Sequence, residues 1–372
     1  MKPIYADYAS ATPIDKDVVD VISNVLQTNF GNPSSVHQFG RDAAQVLDDS
    51  RESIANFIKA KPDEIIFTAS GTESNNLAIL GVARANRGRG NHIVTSVIEH
   101  PSILNSCRAL EKDGFSITYL PVDQLGLIRP EALKKALTNQ TILVSTHLAN
   151  SELGVIQDIA RLSKITKNSG AYFHVDACQA LAYVPVSVDE LGVDLLTFNG
   201  SKLYGPRGVA VLYVREGIQI FPIVYGGGQQ YSLHSGTENL PGIVGLGLAC
   251  QVATNRRHQD SKRIGQLRDT LQIQLSKLPG VKINCADSPR LPNHLSVTLG
   301  HAQATNLVGA FDRHGIAISS GSACSAKSLV DSQVLSSIGL TSEQIHQTVR
   351  ISLGRLNQKA DILAIAKVAA IV

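Results

Sequence analysis

Seven short runs of nearly unbroken apolar residues, most of them parted by stretches that suit helices, constrain this chain more than any other feature. They are EIIFTAS (64–70), HIVTSVI (92–98), FSITYLPV (115–122), TILVSTHLA (141–149), AYFHVDA (171–177), VDLLTFN (193–199) and GVAVLYV (208–214). A strand with one face in water alternates apolar and polar residues, whereas these runs suit strands buried on both faces. The pattern predicts an α/β fold with a mainly parallel seven-stranded sheet covered by helices. Ahead of the first run, Ala43, Val46, Leu47, Ile54, Phe57 and Ile58 recur at helical spacing. The glycine-rich stretch YGGGQQYSLHSGTENLPG (225–242) closes this region, and a polar helical pattern follows over about 251–277. Three more strand candidates, 294–300, 315–320 and 348–354, then suggest a second, smaller α+β domain.

Composition removes several function classes. With 43% hydrophobic and 17% charged residues, the chain reads as an ordinary globular protein rather than a disordered or fibrous one. No stretch approaches 18 uninterrupted apolar residues, so no membrane span is expected. The first residues, MKPIYADYASATP, lack a basic segment followed by an apolar one, and no secretion signal is expected. Five scattered cysteines, at 107, 178, 250, 285 and 324, suggest reduced thiols in the cytoplasm rather than a disulfide framework. A net charge of +3 without a dense Lys/Arg block gives no sign of direct nucleic-acid binding.

The chemically useful residues gather where the strands end, which is where open α/β sheets place ligand sites. In TASGTESNNLAIL (68–80) a strand passes into a helix through Gly71 and Thr72; free amides there suit a phosphate, although an ordinary helix cap is the commoner use. Asp176 closes the run in FHVDACQA; it fits either a structural cap or a partner for a protonated ring nitrogen. Lys202, in FNGSKLYGPRG, is either a solvated surface charge or a Schiff-base lysine. In SVIEHPSI, His100 is either a packed histidine or a ring stacked on a cofactor. A phosphate cradle, a carboxylate and a lysine, in that order on successive strands, are together what pyridoxal 5′-phosphate requires.

Eleven stretches carry a resemblance to a known family: IYADYASATP, FGNPSSVHQFG, TASGTESNNLAI, EHPSI, NSELGVIQDI, HVDACQA, GSKLYGPRGV, YGGGQQ, SGTEN, SSGSACS and VRISLGR. In this order, from residue 4 to residue 355, the chain resembles the class V aminotransferase group, and within it the NifS/IscS-like cysteine desulfurases. The resemblance implies fold type I, with a large cofactor-binding domain over 16–250. It also implies a small domain formed by 1–15 and 251–372, and pyridoxal 5′-phosphate as cofactor. It implies no metal. Lys202 would bind the cofactor aldehyde, Asp176 would pair with the pyridine nitrogen, and His100 would stack and serve as acid or base. Gln179 and Asn150 would touch the cofactor and the substrate. Gly71, Thr72, Asn199 and Ser201 would surround the phosphate, with Thr237 reaching in from the second subunit of a homodimer. Arg350 would hold the carboxylate of L-cysteine, and Cys324 would accept its sulfur as a persulfide.

That last assignment accounts for the setting of Cys324 among small residues in SSGSACSAKS, since a sulfur carrier must reach both the cofactor and an acceptor protein. The polar continuation SAKSLVDSQ resembles the branch with a long cysteine loop. The chain departs from the usual pattern at Ser201, where histidine is common, at Asn199, where serine is common, and at His234, where a basic residue usually precedes SGT. Both Asn199 and Ser201 can still donate hydrogen bonds to a phosphate. Only 17 residues follow Arg355, which hints at an acceptor other than that of housekeeping relatives. Iron–sulfur assembly, tRNA thiolation and DNA phosphorothioation all fit. The rival readings are an aminotransferase or selenocysteine lyase on the same scaffold, and a catalytically silent relative acting as a binding partner. An aminotransferase has no need of Cys324, and a silent relative has no need of the whole set.

Overall fold

A computed structural model of the chain describes residues 3–300, 304–320 and 331–372. A two-residue strand, β1 (Ile4–Tyr5), comes first, and its partner lies near the other end of the sequence. Helices α1 (Lys16–Thr28) and α2 (Gln38–Ile58) follow. The main sheet is then laid down as β2 (Ile65–Thr68), β3 (His92–Ser96), β4 (Ser116–Leu120), β5 (Thr141–His147), β6 (Tyr172–Asp176), β7 (Leu195–Asn199) and β8 (Ala210–Val214). Each of the seven apolar runs contributes one strand. Their order across the sheet is β2-β8-β7-β6-β5-β3-β4. Only β8 runs against the rest, antiparallel to both β2 and β7.

Neighbouring residues on one strand enter different cores. Phe67, Val94, Val144, Leu196 and Val211 join one apolar cluster, while Ile66, Ile93, Leu143, Leu195 and Leu212 join the other. The alternation of a strand is therefore present, but both of its faces are dry, which is why the sequence reads as unbroken apolar runs. Burying each such side chain fully is worth roughly 1.5–3 kcal/mol. Two helices that matter for the site start at strand ends on one side of this sheet: α3 (Gly71–Asn76) after β2, and α4 (Pro101–Lys112) after β3.

The 36-residue helix α5 (Leu240–Leu275) packs on α1 and α2 and leads into the rest of the chain. It begins eleven residues before the polar pattern seen in the sequence, because its first part, with Leu240, Ile243, Leu246 and Cys250, is buried rather than amphipathic. Strands β9 (Val281–Ile283), β10 (His294–Leu299), β11 (Ile316–Ala317) and β12 (Thr348–Ser352) follow, with the short helix α6 (Gln333–Ser337) between the last two. A three-stranded antiparallel sheet has the order β12-β10-β9. Strand β11 stays out of it and pairs in parallel with β1, Ile4 beside Ile316. The N-terminal segment is thus stitched to the C-terminal part before it crosses to the large sheet.

Candidate active site

Strands β2, β3, β5, β6 and β7 point the same way, so their C-terminal ends open onto one cavity of about 760 Å³. Lys202 reaches it from a loop that can scarcely take another shape. A side chain on Gly200 would lie 2.3 Å from the Pro206 carbonyl oxygen, and Tyr204 takes a left-handed conformation with φ of 58°. Thr12 locks the loop from outside: its amide donates to the Ser201 carbonyl at 2.9 Å, and its hydroxyl accepts from the Tyr204 amide at 2.8 Å. The Lys202 ammonium donates to the Ser10 carbonyl. Beneath the loop, the Arg355 guanidinium lies 3.9 Å from the Tyr204 ring centre and pairs with Asp15 and Asp260 at 2.9 and 2.7 Å.

Asp176 ends β6 as a buried carboxylate. Burial alone would raise its pKa, but neighbouring His100, the Cys178 amide at 2.9 Å and the Asn75 amide group at 2.8 Å outweigh it and hold the carboxyl below its ordinary range. Asn75 also donates to the Ser102 hydroxyl at 2.9 Å, and that hydroxyl lies 2.7 Å from His100 Nδ1. The sequence reading did not single out Asn75 or Ser102, yet they connect Asp176 to His100. His100 caps α4 by accepting the Ser102 amide on Nδ1 at 3.1 Å, so a neutral ring carries its proton on Nε2. The cap of α3 is Ser70, whose hydroxyl accepts from Glu73, so Thr72 is not spent on capping. Gly71 keeps the site open, because a Cβ there would stand 2.8 Å from Cys178 Sγ and 3.0 Å from Asn199 Nδ2, and one of those side chains would have to shift.

Arg350 enters from β12 and is 3% exposed. Its Nη2 donates to Asp7 Oδ1 at 2.7 Å and to Ser10 Oγ at 2.6 Å, and its Nη1 donates to the Ser151 carbonyl at 3.1 Å. Glu152 is buried close by; burial pushes its carboxyl upward, and Ser332, donating at 2.6 Å, and Arg350 only partly oppose the shift. Behind Asp176, the sheet register sets His147 beside it. His147 Nδ1 is 2.9 Å from Glu99, whose other oxygen takes the Ser96 hydroxyl at 2.5 Å. Burial would lower the His147 pKa, but Glu99 overrides it and the pKa is raised.

The remaining residues singled out in the sequence divide three ways. Gln179, Asn199, Ser201 and Asn150 line the cavity with Lys202, Asp176, His100, Arg350, Gly71 and Thr72. Asn150, however, spends its side chain on the turn after β5, donating to the Ile98 carbonyl and accepting the amides of Glu152 and Leu153. Thr237 is exposed and does not line the cavity of its own chain. Cys324 lies outside the described residues. The other four thiols are unsuited to nucleophilic work, because burial pushes Cys107 up to about 12 and Cys285 up to about 11, and raises Cys178 and Cys250 well above the ordinary thiol range. Among the described residues, no cluster of His, Cys, Asp and Glu is placed to hold a metal ion.

Residues 4–365 match the family model described as aminotransferase class-V. The chain belongs to that family. A class-V relative named cysteine desulfurase IscS, from Dictyoglomus turgidum, is 45% identical over 97% of this chain and 92% of its own. Among solved structures, a NifS-like protein superposes with a TM-score of 0.93 at 32% identity, covering 99% of this chain and 98% of the other. A second, described as SspA in complex with cysteine, has a TM-score of 0.84 at 35% identity and covers 94% and 99% of the two chains.

Proposed function

We propose that this class-V protein is a pyridoxal-phosphate-dependent cysteine desulfurase that converts L-cysteine to L-alanine and passes the sulfur to a protein thiol. One observation carries the reading: a lysine, an ionised buried carboxylate and a buried arginine, 26 and 174 residues apart in sequence, converge on one cavity. The cofactor fits that cavity on the chemistry of its lining. Asp176 is kept charged in a dry setting, which suits a protonated pyridine nitrogen. Gly71 leaves space that a methyl group would fill, beside the donors Asn199 and Ser201 and the uncommitted Thr72 hydroxyl. When bound, the cofactor supplies an electron sink for the substrate's α-carbon.

The protein's own residues bind, orient and move protons. Lys202 would hold the cofactor aldehyde, and its amine is the base that this loop brings into the cavity. His100, fixed through Nδ1 by Ser102, presents Nε2 as the proton-carrying atom. Gln179 and Asn150 border the reacting end of the cavity, Asn150 by fixing the turn that carries Ser151 and Glu152. Arg350 takes the substrate carboxylate, where a planar fork gives both energy and orientation. Cys324 takes the sulfur. Its thiol and cysteine yield alanine and a persulfide, with every atom accounted for and no outside oxidant. The high pKa values of the other four thiols support Cys324 as the nucleophile.

The same reading assigns residues 16–250 to a large domain and residues 1–15 and 251–372 to a small one, with α5 crossing between them. It also makes the protein a homodimer. Exposed Tyr225, Tyr231 and Thr237 on the glycine-rich segment support a loop lent to a neighbour, an exchange that two-fold symmetry makes mutual. Among the described residues no helix is long and apolar enough to cross a membrane. We place the protein in the cytoplasm, with an acceptor protein as its sulfur partner.

The deciding experiment measures alanine and sulfide from L-cysteine. Parent protein reconstituted with pyridoxal phosphate makes both, and Lys202→Ala makes neither. Cys324→Ala still binds cofactor and cysteine but yields almost no alanine. Full alanine production by Cys324→Ala would replace this reading with that of an aminotransferase or lyase.

A further inference from the structure

The assignment of Arg350 as the carboxylate's anchor leaves a difficulty at its guanidinium. A guanidinium offers two forks to a carboxylate, Nε with Nη2 and Nη1 with Nη2, and both include Nη2. Here both Nη2 hydrogens are taken, one by Asp7 Oδ1 at 2.7 Å and one by Ser10 Oγ at 2.6 Å. A bidentate ligand cannot dock until one of these partners leaves. We infer that Asp7 is the resting counter-ion of Arg350, and that the substrate carboxylate displaces it from Nη2. The inference rests on the proposed role of Arg350.

Three observations choose Asp7 over Ser10 as the group that leaves. Exchanging one carboxylate for another leaves the charge around a 3%-exposed cation unchanged, whereas adding a second carboxylate while Asp7 stays would set two anions against one buried guanidinium. Asp7 has somewhere to go, since its side chain is 18% exposed at the edge of the pair. Ser10 does not, because its amide donates to the Asp7 carbonyl at 3.0 Å and Gln179 holds the neighbouring Ala9 carbonyl at 3.0 Å, which fixes the backbone where the Ser10 hydroxyl meets Arg350. Asp7 thus acts as a positioning residue that sets how much of a ligand's carboxylate affinity reaches the measured constant. Each ligand must first pay for releasing it.

The test compares L-alanine with ethylamine, which is the same amine without the carboxylate. Dissociation constants are measured on cofactor-loaded protein by absorbance titration, with circular dichroism to verify folding. In Asp7→Asn, a neutral amide still accepts from Nη2 but less strongly than a carboxylate, so L-alanine should bind about tenfold tighter while ethylamine is unchanged. Asp7→Ser should show the same direction if the asparagine variant fails to fold, and Asp7→Glu should stay near the parent. Unchanged or weaker alanine binding in the neutral variants, or a gain in Ser10→Ala instead, overturns the exchange. Arg350→Ala should erase the preference for alanine over ethylamine. If that preference persists, the arginine assignment itself is wrong, and the exchange falls with it.

Discussion

Asn75 is the residue whose replacement tests the site most directly, because its amide group joins Asp176 to the Ser102–His100 pair. Asn75→Ala removes a 2.8 Å hydrogen bond to an ionised carboxylate and a 2.9 Å bond to a hydroxyl. Bonds to charged groups contribute about 1.5–3 kcal/mol and neutral ones about 1 kcal/mol. Asn75 is 1% exposed, so water cannot step in cheaply. The cofactor-free protein should therefore lose about 3 kcal/mol, read from urea unfolding. The Asp176 pKa should climb by about one to two units, since each unit is about 1.4 kcal/mol. Asn75→Asp should cost more than Asn75→Ala, because it sets a second carboxylate against the first. Equal stability of the two variants, or an alanine variant within about 0.5 kcal/mol of the parent, would show that Asp176 does not depend on Asn75.

Acid should weaken the fold through two buried imidazoles. Burial holds His174 down to about 4 and His294 down to about 3, against an ordinary value of about 6.5 in the unfolded chain. Their contribution is complete above about pH 6.5 and is lost as pH falls, because the unfolded chain then binds two protons that the folded chain does not. These two protons alone give a slope of about 2.7 kcal/mol per pH unit between roughly pH 6 and 4.5. The buried Glu152 and Asp194 carboxyls, shifted upward by burial, subtract a part of it. The net fall is measured by urea titration, and a flat profile there would refute it. Gly71→Ala should weaken cofactor binding in fluorescence titrations, and Gly71→Ala with Cys178→Ala should recover part of the loss, since the 2.8 Å conflict is with Sγ. No recovery would place the fault in the backbone instead. Mixed dimers of Lys202→Ala and Thr237→Asp chains should regain activity that neither parent shows, and verified mixed dimers that stay inactive would remove Thr237 from the neighbouring site.

The large sheet was legible because burial on both faces leaves an unmistakable trace in the sequence. Direction was less so. Nothing in GVAVLYV marks β8 as the strand that runs backward, since its residues are as apolar as those of its parallel neighbours. Strands β1 and β9, at two and three residues, are too short for any periodicity to emerge. In the site, Lys202, Asp176 and Gly71 could be found because each sits at the end of a recognisable run. Their supports could not. Asn75 meets Asp176 across 101 positions, and Arg350 meets Asp7 across 343, distances over which local pattern carries no information. Glu99 and His147 did leave a trace, as ionisable residues at the ends of apolar runs, and that trace could have flagged the buried pair.

The early placement of the N-terminal segment has a consequence for how the protein is made. Ile4 and Tyr5 pair with Ile316 and Ala317, the Ala9 amide takes the Ser352 hydroxyl, and Thr12 clamps the Lys202 loop. On the ribosome Ile4, Tyr5 and Ala9 are made before the main sheet and then wait for partners synthesised more than 300 positions later. The main sheet can form meanwhile, as domains generally fold in order of synthesis. Thr12 can reach the lysine loop once Ser201 and Tyr204 are made, but the rest of the segment lacks Ile316 and Ser352, and the site lacks Arg350, until β12 has been synthesised. A nascent chain that has passed β8 therefore carries the large sheet without its substrate anchor, and termination between β8 and β12 should leave that sheet folded but inert.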